Sequence, residues 1–502
     1  MTGQLVALLR LRTSTLSRSE RSRVAVALAA MPLLAVLVVV AGASVSQNLG
    51  PDSRSEVVLL LPTAFLAFAV AALVAAVASS GGRELLPRSQ LAAFPVSPAS
   101  DYAGAAVLAP LNLAWALQTL ALLGLVAAAV GWTAGVLAAV VTTLAWLGAA
   151  TLVAQALAWA VELVRTYPGG VWLVRAGGGG VAVATLALSA SGMLIPLLDA
   201  SPTLRVVVQA LRGAGGEWLP WLRGLGELAV VAGAAVLVGT RLSSVVAHRP
   251  RKDHGRVEAR GYPARPATRS DVLEALRVDR ASVWRSAPLR RGLLVLALVP
   301  GASAALARLP WELMPMLPGL VTSGAALLFG VNAFALDAAG AVWRESLPDR
   351  SGAWFAARAL VIAEVVAGAC LLAMAVAVAR APALPTASAA TAVAVAVVVV
   401  SAQVLARSLT WSLQRPYRSD LRTARDAPAP PATMAWYSAR LALATTATGL
   451  LLSLAARADS PVWAMAVGLP LLLFALRRLV ACGRLWERPE VRSRVLTTVA
   501  RG

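Results

Sequence analysis

Lysine is almost missing from this chain of 502 residues, in which Lys252 is the only lysine among 45 basic residues. A Walker A loop requires Gly-Lys-Ser/Thr, because its lysine must reach the terminal phosphates of ATP. Lys252 stands in Pro-Arg-Lys-Asp-His-Gly, which does not fit that frame. The sequence therefore excludes an ATPase of this class, and Lys252 is expected to be a solvated loop charge.

Cysteine and histidine are also scarce, with two residues of each. Cys370 lies within an apolar run and Cys482 near the end of another, so they do not suggest a disulfide framework. His248 and His254 share one basic loop that offers no second pair of ligands, and a metal site is therefore not predicted.

Charged residues are few as well. They make up 14% of the chain, whereas about 25% is usual in soluble proteins. Hydrophobic residues reach 59%, with a mean hydropathy of +0.74. The net charge of +21 would suggest nucleic-acid binding in a soluble protein. Here the arginines flank apolar runs, where they orient spans and meet anionic headgroups, so the lipid bilayer and not a nucleic acid is the predicted partner.

Twelve apolar stretches are long enough to cross a bilayer, since a helical span needs about 20 residues. In the first half they occupy residues 24–44, 57–79, 102–130, 133–162, 178–199 and 224–246. In the second half they occupy residues 290–309, 313–336, 355–379, 387–408, 435–456 and 461–482. The predicted fold is an all-α polytopic membrane protein with about 12 transmembrane helices.

Basic residues are distributed unevenly between the connections of these spans. Of the 45, 38 fall on one side of the membrane and 7 on the other. Because cytoplasmic loops carry an excess of Lys and Arg, the distribution predicts that both termini are cytoplasmic. The chain is expected in a plasma membrane, and its Ala- and Arg-rich composition suggests the inner membrane of a bacterium.

The spans fall into two halves, residues 1–246 and 271–502, joined by a Pro- and Gly-rich cytoplasmic linker at 247–270. Six spans per half give both halves the same orientation, so parallel repeats are predicted. A basic amphipathic helix of the kind that lies at a membrane surface precedes the first span of each half, with an ordinary juxtamembrane linker as the alternative. Their apolar residues are Leu5, Leu8 and Leu9 in the first, and Val272, Leu273 and Leu276 in the second.

A Pro-containing loop follows the second span of each half. The first is Leu86-Pro-Arg-Ser-Gln-Leu-Ala-Ala-Phe-Pro-Val-Ser-Pro98. The second is Leu347-Pro-Asp-Arg-Ser351, preceded by Gly330-Val-Asn-Ala-Phe-Ala-Leu-Asp337. With the six spans and the amphipathic start, these loops make the chain resemble the ATP-binding-cassette (ABC) export permeases of bacteria, with two permease halves fused. The resemblance covers the whole chain in topology and these stretches in motif.

This resemblance implies that residues 83–101 and 338–354 are coupling elements that dock on a separate ATPase. The residues expected at these contacts are Leu86, Pro87, Arg88, Phe94, Pro95, Leu347, Pro348, Asp349 and Arg350. It also implies two copies of an ATPase subunit as partners. That subunit would hold ATP and Mg, while this chain would bind no cofactor and would be a permease, not an enzyme. Short outer helices are frequent between the fifth and sixth spans of this family, and residues 202–224 are their expected place in the first half.

Polar residues inside the spans are candidates for a substrate path, because polar groups in hydrocarbon are unfavourable and often functional. Glu364 is the deepest, and Arg407 and Arg440 are its expected partners. The uncharged candidates are Asn112, Gln118, Gln155, Asn332 and Gln403. The simpler interpretation of Glu364 is a structural ion pair. The simpler interpretation of the amides is hydrogen bonding between helices.

The first hypothesis is therefore the membrane subunit of an ABC exporter, which moves a substrate out of the cytoplasm. The alternative is a twelve-span secondary transporter, a class that often has two parallel halves. It would need an intramembrane acid or arginine for ion coupling, and only Glu364 qualifies clearly. A membrane-embedded enzyme comes third, because such enzymes usually have acidic or histidine clusters at one membrane face and this sequence has only isolated acids there.

Overall fold

A computed structural model describes residues 18–78, 97–107, 113–193, 196–197, 200–249, 270–337, 340–346, 351–418, 429 and 431–500. Every regular element among these residues is a helix, as the all-α prediction requires. The chain divides into two compact units, Met1–Arg260 (unit 1) and Gly261–Gly502 (unit 2). The division falls inside the linker predicted at 247–270.

Eight helices in the described part of the chain are long and apolar enough to cross a membrane, or nine if the bent pair Met314–Ala325 and Gly330–Leu336 is one span. The eight are Met31–Asn48, Pro51–Val74, Val136–Thr166, Trp218–Ala247, Ser351–Val378, Ala387–Gln414, Trp436–Ala456 and Val462–Trp486. Two shorter apolar helices, Gln118–Val130 and Gly292–Leu306, lie in the third and seventh predicted spans. This is the architecture of a polytopic α-helical membrane protein, whereas the number twelve stays a prediction.

The helices of unit 1 follow the predicted spans with one subdivision. They are α1 (Arg18–Asn48), α2 (Pro51–Ala78), α3 (Pro98–Val107), α4 (Leu113–Val130), α5 (Val136–Thr166), α6 (Gly170–Ala190), α7 (Pro202–Ala214) and α8 (Trp218–Ala247). The third predicted span corresponds to α3 and α4. Proline begins α2, α3 and α7, at the position where its missing N–H group removes no helical hydrogen bond.

Helices α1 and α4 cross at a glycine. A Cβ atom added to Gly42 of α1 would lie 2.5 Å from the carbonyl oxygen of Gly124 in α4. Small residues permit this close approach, which matters because helices in lipid associate through packing and not through the hydrophobic effect. Two residues further on, the hydroxyl of Ser44 donates to the carbonyl oxygen of Val40 at 2.8 Å, so the polar side chain is satisfied within its own helix.

Helix α5 is the centre of unit 1, where it contacts α2, α4, α6, α7 and α8. Two indole groups bond to it, Trp115 Nε1 to Thr151 Oγ1 at 3.0 Å and Trp221 Nε1 to Thr142 Oγ1 at 2.8 Å. The short helix α7 lies between the fifth and sixth predicted spans, where an outer helix is expected, and packs on α5 and α8.

Unit 2 contains a longer set of helices. They are α9 (Asp271–Arg285), α10 (Ala287–Leu306), α11 (Leu317–Phe329), α12 (Gly340–Glu345), α13 (Ser351–Val378), α14 (Ala387–Gln414), α15 (Pro431–Ala456), α16 (Val462–Trp486) and α17 (Pro489–Ala500). The 3-10 segments Met314–Met316 and Gly330–Leu336 flank α11. Asn332 interrupts the second of these with φ −145° and ψ 75°. The eighth predicted span, 313–336, is therefore a bent element and not one straight helix.

The amphipathic helix predicted at the start of the second half is α9. Its buried residues are Ala275, Leu276, Asp279 and Val283. They lie on one face of the helix, because Asp279 is three or four positions from each of the other three. Leu273, which was predicted on the apolar face, is 52% exposed, because it falls outside the stripe that these four residues form. The buried stripe packs chiefly against α13.

Helices α13 and α14 are the centre of unit 2. The first contacts α10, α11 and α14, and the second also contacts α11, α15 and α16. Helix α10 crosses α13 at Gly301, where an added Cβ atom would lie 2.6 Å from the carbonyl oxygen of Ala373. The hydroxyl of Ser303 donates to the carbonyl oxygen of Val299 at 2.9 Å.

The substitution Gly301→Ala is expected to destabilise unit 2, because its methyl group would meet the backbone of α13 and could not displace a flexible side chain. Overpacking of this kind costs about 1–3 kcal/mol, so the melting temperature of the purified protein in detergent should fall. The matched control is Gly368→Ala in α13, where the added Cβ atom would meet no other atom within 4 Å. Alanine favours helix over glycine by about 1 kcal/mol, so the control should melt at or above the wild-type temperature. Equal melting temperatures for the two variants would contradict the close crossing.

Candidate functional site

Three charged side chains, Arg358, Asp279 and Asp337, are buried together in unit 2, and we call them the Arg358 cluster. Their exposed fractions are 1%, 0% and 4%. Arg358 Nε donates to Asp279 Oδ2 at 2.8 Å, and Nη2 donates to Asp279 Oδ1 at 3.0 Å and to Asp337 Oδ1 at 2.7 Å. Nη1 donates to the carbonyl oxygen of Ala333. All three nitrogen atoms of the guanidinium group are therefore engaged.

The members of the cluster come from three separate segments. Asp279 lies on the buried stripe of α9. Because that stripe packs against the rest of unit 2, the carboxylate of Asp279 is buried with it. Asp337 follows the 3-10 segment Gly330–Leu336, and Arg358 lies two turns into α13. Asp337 and Arg358 thus flank the second predicted coupling loop, 338–354. The cluster joins α9 to both ends of that loop.

Burial makes these contacts costly to break. Moving each ion out of water carries a penalty that its partners offset only with good geometry, and removing one partner leaves an uncompensated buried charge. Apolar side chains of similar volume often give equal or greater stability at such a position. The Arg358 cluster is therefore better explained as a device that fixes one arrangement of α9, α13 and the loop than as a source of stability.

The last helix of the chain packs beside the cluster. Arg492 of α17 donates to Glu345 Oε1 of α12 at 2.6 Å and to Ser351 Oγ at 3.2 Å. Trp486 donates to the carbonyl oxygen of Ser351 at 2.9 Å and stacks on Phe334 with ring centroids 4.6 Å apart. Residues of this group and of the Arg358 cluster line one pocket, and they are Phe334, Asp337, Glu345, Ser351, Arg358 and Trp486. Helix α12, inside the predicted loop, is consequently bonded to α17, while α13 is held by α16 and α17.

The first predicted coupling loop, 83–101, leads into an anchor of another kind. The buried hydroxyl of Tyr102 lies 2.9 Å from the carbonyl oxygen of Leu152 in α5 and 3.1 Å from that of Ala235 in α8. A Cβ atom added to Gly239 of α8 would overlap the tyrosine ring, so only glycine leaves room for it. Hydrogen bonds from an uncharged side chain fix the end of this loop to α5 and α8. The predicted loop of unit 2 is instead flanked by the ion pairs of the Arg358 cluster.

Glu364, the deepest acid of the predicted spans, pairs with Arg280 of α9. Arg280 Nε donates to Oε2 at 2.8 Å and Nη2 donates to Oε1. The expected partners Arg407 and Arg440 were wrong, because α9 packs along α13 and brings its own arginine to the carboxylate. The two side chains are 46% and 41% exposed, and their contact fits the simpler interpretation of a structural ion pair.

The predicted path amides take part in contacts between segments. Asn332 is fully buried and donates to the carbonyl oxygen of Tyr417 at 2.7 Å. Gln403 of α14 and Thr448 of α15 bond to each other at 3.1 and 3.2 Å. Gln118 is half-buried on α4. None of these three amides lines the pocket beside the Arg358 cluster.

Ten predicted site residues lie outside the described residues, so their placement stays a prediction. They are Leu86, Pro87, Arg88, Phe94, Pro95, Asn112, Leu347, Pro348, Asp349 and Arg350. Within the described ranges, the structure brings together no group of three His, Cys, Asp or Glu side chains that would hold a metal ion.

The Arg358 cluster was not recognised from the sequence, although two signals point to it. Asp279 occupies a position of α9 at which the three-and-four spacing requires an apolar side chain. Arg358 stands in Ala-Ala-Arg-Ala-Leu, near the start of a long apolar run. A buried charge requires a partner of opposite sign. An acid and an arginine at two positions that are both expected to be buried therefore predict an ion pair.

The chain matches no protein-family model, no curated protein and no solved structure among those compared with it. Its function has to be inferred from topology and from the site. The guanidinium group of Arg358 donates to two carboxylates and to one backbone carbonyl, so the arrangement suits a mechanical link between segments.

The substitution Arg358→Met is expected to lower stability by about 3–5 kcal/mol, because two carboxylates would stay buried without their cation. Adding Asp279→Asn to this variant should restore part of the loss, since it removes one of those charges. Thermal unfolding in detergent measures both effects. The matched control is Arg484→Gln, which removes an exposed arginine of α16 and should leave the melting temperature nearly unchanged, because surface substitutions have small effects. An Arg358→Met protein as stable as this control would contradict the buried cluster.

Proposed function

We propose that this chain is the membrane subunit of an ABC exporter, which moves a substrate out of the cytoplasm while a separate ATPase hydrolyses ATP. The observation that carries the proposal is the anchoring of both predicted coupling loops. The loop 83–101 leads into Tyr102, whose hydroxyl contacts α5 and α8, and the loop 338–354 lies between two members of the Arg358 cluster. A permease without its own ATPase needs such rigid connections from loop to spans.

We further propose that the two units are versions of one six-span repeat. The order of helix neighbours supports this. In unit 1 the helix of the third span, α4, contacts α1, α2 and α5, and that of the fourth, α5, contacts α2, α6 and α8. In unit 2 the corresponding helix α13 contacts α10, α11 and α14, and α14 contacts α11, α15 and α16. The third span thus touches the first, second and fourth in each unit, and the fourth touches the second, fifth and sixth.

Short sequences at equivalent places support the same repeat. The first spans share Val40-Ala-Gly-Ala-Ser44 and Val299-Pro-Gly-Ala-Ser303, and the fourth spans share Ala154-Gln-Ala-Leu-Ala158 and Ala402-Gln-Val-Leu-Ala406. In the first pair the serine hydroxyl bonds four residues back in both units.

The close crossings also correspond. Gly42 approaches the carbonyl oxygen of Gly124, and Gly301 approaches that of Ala373. Gly124 and Ala373 each follow a Leu-Leu pair in the third span. The first and third spans of the two units therefore meet through the same kind of contact.

Under this proposal two ATPase copies dock on the two loops at the cytoplasmic face. Closure of the ATPases around ATP would displace the loops, and packed helices respond to such a displacement by moving as rigid bodies. In unit 2 the displacement would reach α9 and α13 through the Arg358 cluster. The two halves would then alternate between inward-open and outward-open states, with ATP and Mg bound only by the partner.

The proposal includes an orientation and a membrane. Both termini and the linker would lie in the cytoplasm of a bacterium, with the spans in its plasma membrane, as the arginine distribution indicates. The contacts with the ATPase would come from the predicted residues of the two loops.

The alternative of a secondary transporter depends on an intramembrane acid that binds an ion or proton. Glu364 is the acid that the sequence offers, and its two oxygens accept hydrogen bonds from Arg280. Both carboxylate oxygens are thus occupied by the guanidinium group, and these hydrogen bonds would have to break before the carboxylate could bind an ion or a proton. The ion pair therefore favours the exporter over this alternative.

The test is recovery of an ATPase with the tagged protein in mild detergent. The wild-type chain is expected to retain an ATP-hydrolysing subunit, identified by mass spectrometry and by its activity. The variants Phe94→Ala/Pro95→Ala and Leu347→Ala/Arg350→Ala should each lose most of it, because each removes one docking element.

Leu384→Ala is the matched control, since Leu384 is 93% exposed between α13 and α14, on the predicted outer side, and should retain the ATPase. Size-exclusion profiles establish that every variant is folded. If a folded wild-type chain recovers no ATPase, or if both loop variants keep it, the exporter proposal is wrong and Glu364→Gln becomes the variant to test for ion-coupled transport.

A further inference from the structure

Three arginines from three neighbouring helices come together at one end of unit 2. They are Arg407 of α14, Arg440 of α15 and Arg478 of α16. Arg407 Nη1 donates to the carbonyl oxygen of Arg440 at 3.1 Å. Thr410 Oγ1 of α14 lies 3.1 Å from Cys482 Sγ of α16, and Arg407 and Arg478 stand about one turn before these two residues. Helix α14 contacts both α15 and α16, so its arginine stands between the other two.

All three lie at a similar depth from the predicted cytoplasmic ends of their helices. Arg407 precedes the end of α14 at Gln414, Arg440 follows the start of α15 at Pro431, and Arg478 precedes the end of α16 at Trp486. At 1.5 Å per residue these separations are about 10–14 Å along each helix. Long arginine side chains at this depth reach the headgroup level.

These arginines lack the partners that other charges of the unit have. Arg280 and Arg358 each bond to carboxylates, whereas among the described residues none of Arg407, Arg440 and Arg478 forms an ion pair with Asp or Glu. Three cations that repel one another beside hydrocarbon are unfavourable unless an anion joins them. The positive-inside rule explains single arginines at span ends, but it does not explain why three should converge.

Two exposed aromatic side chains lie beside the group. The Arg440 guanidinium carbon lies 5.4 Å from the ring centroid of Trp436, and that of Arg478 lies 5.7 Å from that of Phe474. Trp436 and Phe474 are 55% and 58% exposed. The arginines therefore stand beside apolar surface that faces outward, which suits a molecule with a charged head and a hydrocarbon tail.

We propose that Arg407, Arg440 and Arg478 form a binding site for the phosphate of an anionic phospholipid of the inner leaflet. The phosphate oxygens would accept hydrogen bonds from the guanidinium groups, and the acyl chains would lie along Trp436 and Phe474. Basic pockets between spans on the cytoplasmic side recognise anionic headgroups in this way. A free phosphate ion could accept the same hydrogen bonds, but it has no acyl chain to lie along the aromatic side chains.

The experiment is native mass spectrometry of the full chain in detergent with phosphatidylglycerol or phosphatidylcholine added at equal concentration. The wild-type protein is expected to retain one phosphatidylglycerol at least five-fold more than phosphatidylcholine. The variant Arg407→Gln/Arg440→Gln/Arg478→Gln should lose that preference, and the single variant Arg440→Gln, which changes an exposed side chain, should weaken it with least risk to folding. The matched control Arg484→Gln removes an exposed charge from α16 nearer its end and should keep the preference.

Inorganic phosphate in a parallel arm distinguishes the two sources of the anion. If phosphate at millimolar concentration displaces phosphatidylglycerol from the wild-type chain, the site takes free phosphate and the lipid assignment is overturned. Equal retention of the two lipids by the wild-type protein, or an unchanged preference in folded Arg440→Gln and triple variants, would overturn the site itself. The result does not depend on whether the chain couples to an ATPase.

Discussion

The buried guanidinium group of Arg358 holds three segments of unit 2 in one arrangement. Water does not reach its nitrogen atoms, so each of them requires a hydrogen-bond acceptor from the protein. The arginine itself belongs to α13. Its acceptors are Asp279 of α9, and Asp337 and Ala333 at the end of the bent segment. Breaking one contact would leave a charge unpaired, so the three segments are expected to move together. In the proposed exporter, a coupling loop needs such a rigid connection where it joins the spans.

The membrane imposes a second constraint, which both units meet in the same way. Apolar side chains that face lipid gain little from touching one another, so helices have to associate through close backbone contact and through internal hydrogen bonds. Gly42 and Gly301 provide the close contact of first and third spans. The units differ in how the loop ends are held, since Tyr102 uses backbone carbonyl groups and Arg358 uses carboxylates. A neutral anchor in one half and an ionic anchor in the other would make the two loops respond unequally.

The sequence predicted the all-helical fold and the position of most helices, because long apolar runs leave few alternatives to a helix. It did not predict the bend at Asn332, since apolar character alone does not reveal where a helix breaks. The sequence does not identify the partner of Glu364, because it does not reveal that α9 packs along α13. The spacing of apolar residues misses Asp279, which is charged and nevertheless buried, and it places Leu273 on the buried face although Leu273 is exposed. The correspondence of Gly42 with Gly301 depends on their crossings, since a match of a few residues is too short to reveal a repeat.

The most direct test of the central claim, two parallel units with their predicted coupling loops on the cytoplasmic side, is cysteine labelling in intact cells. Replacing the two free cysteines, Cys370 and Cys482, which are buried, by alanine gives a background for single cysteines at exposed positions. Those positions are Ser53, His248, Leu384 and Ser493. An impermeant maleimide is expected to label Ser53→Cys and Leu384→Cys in intact cells, and His248→Cys and Ser493→Cys only after permeabilisation. If one unit shows the opposite pattern, the halves are inverted relative to each other and the account of two parallel permease halves is wrong.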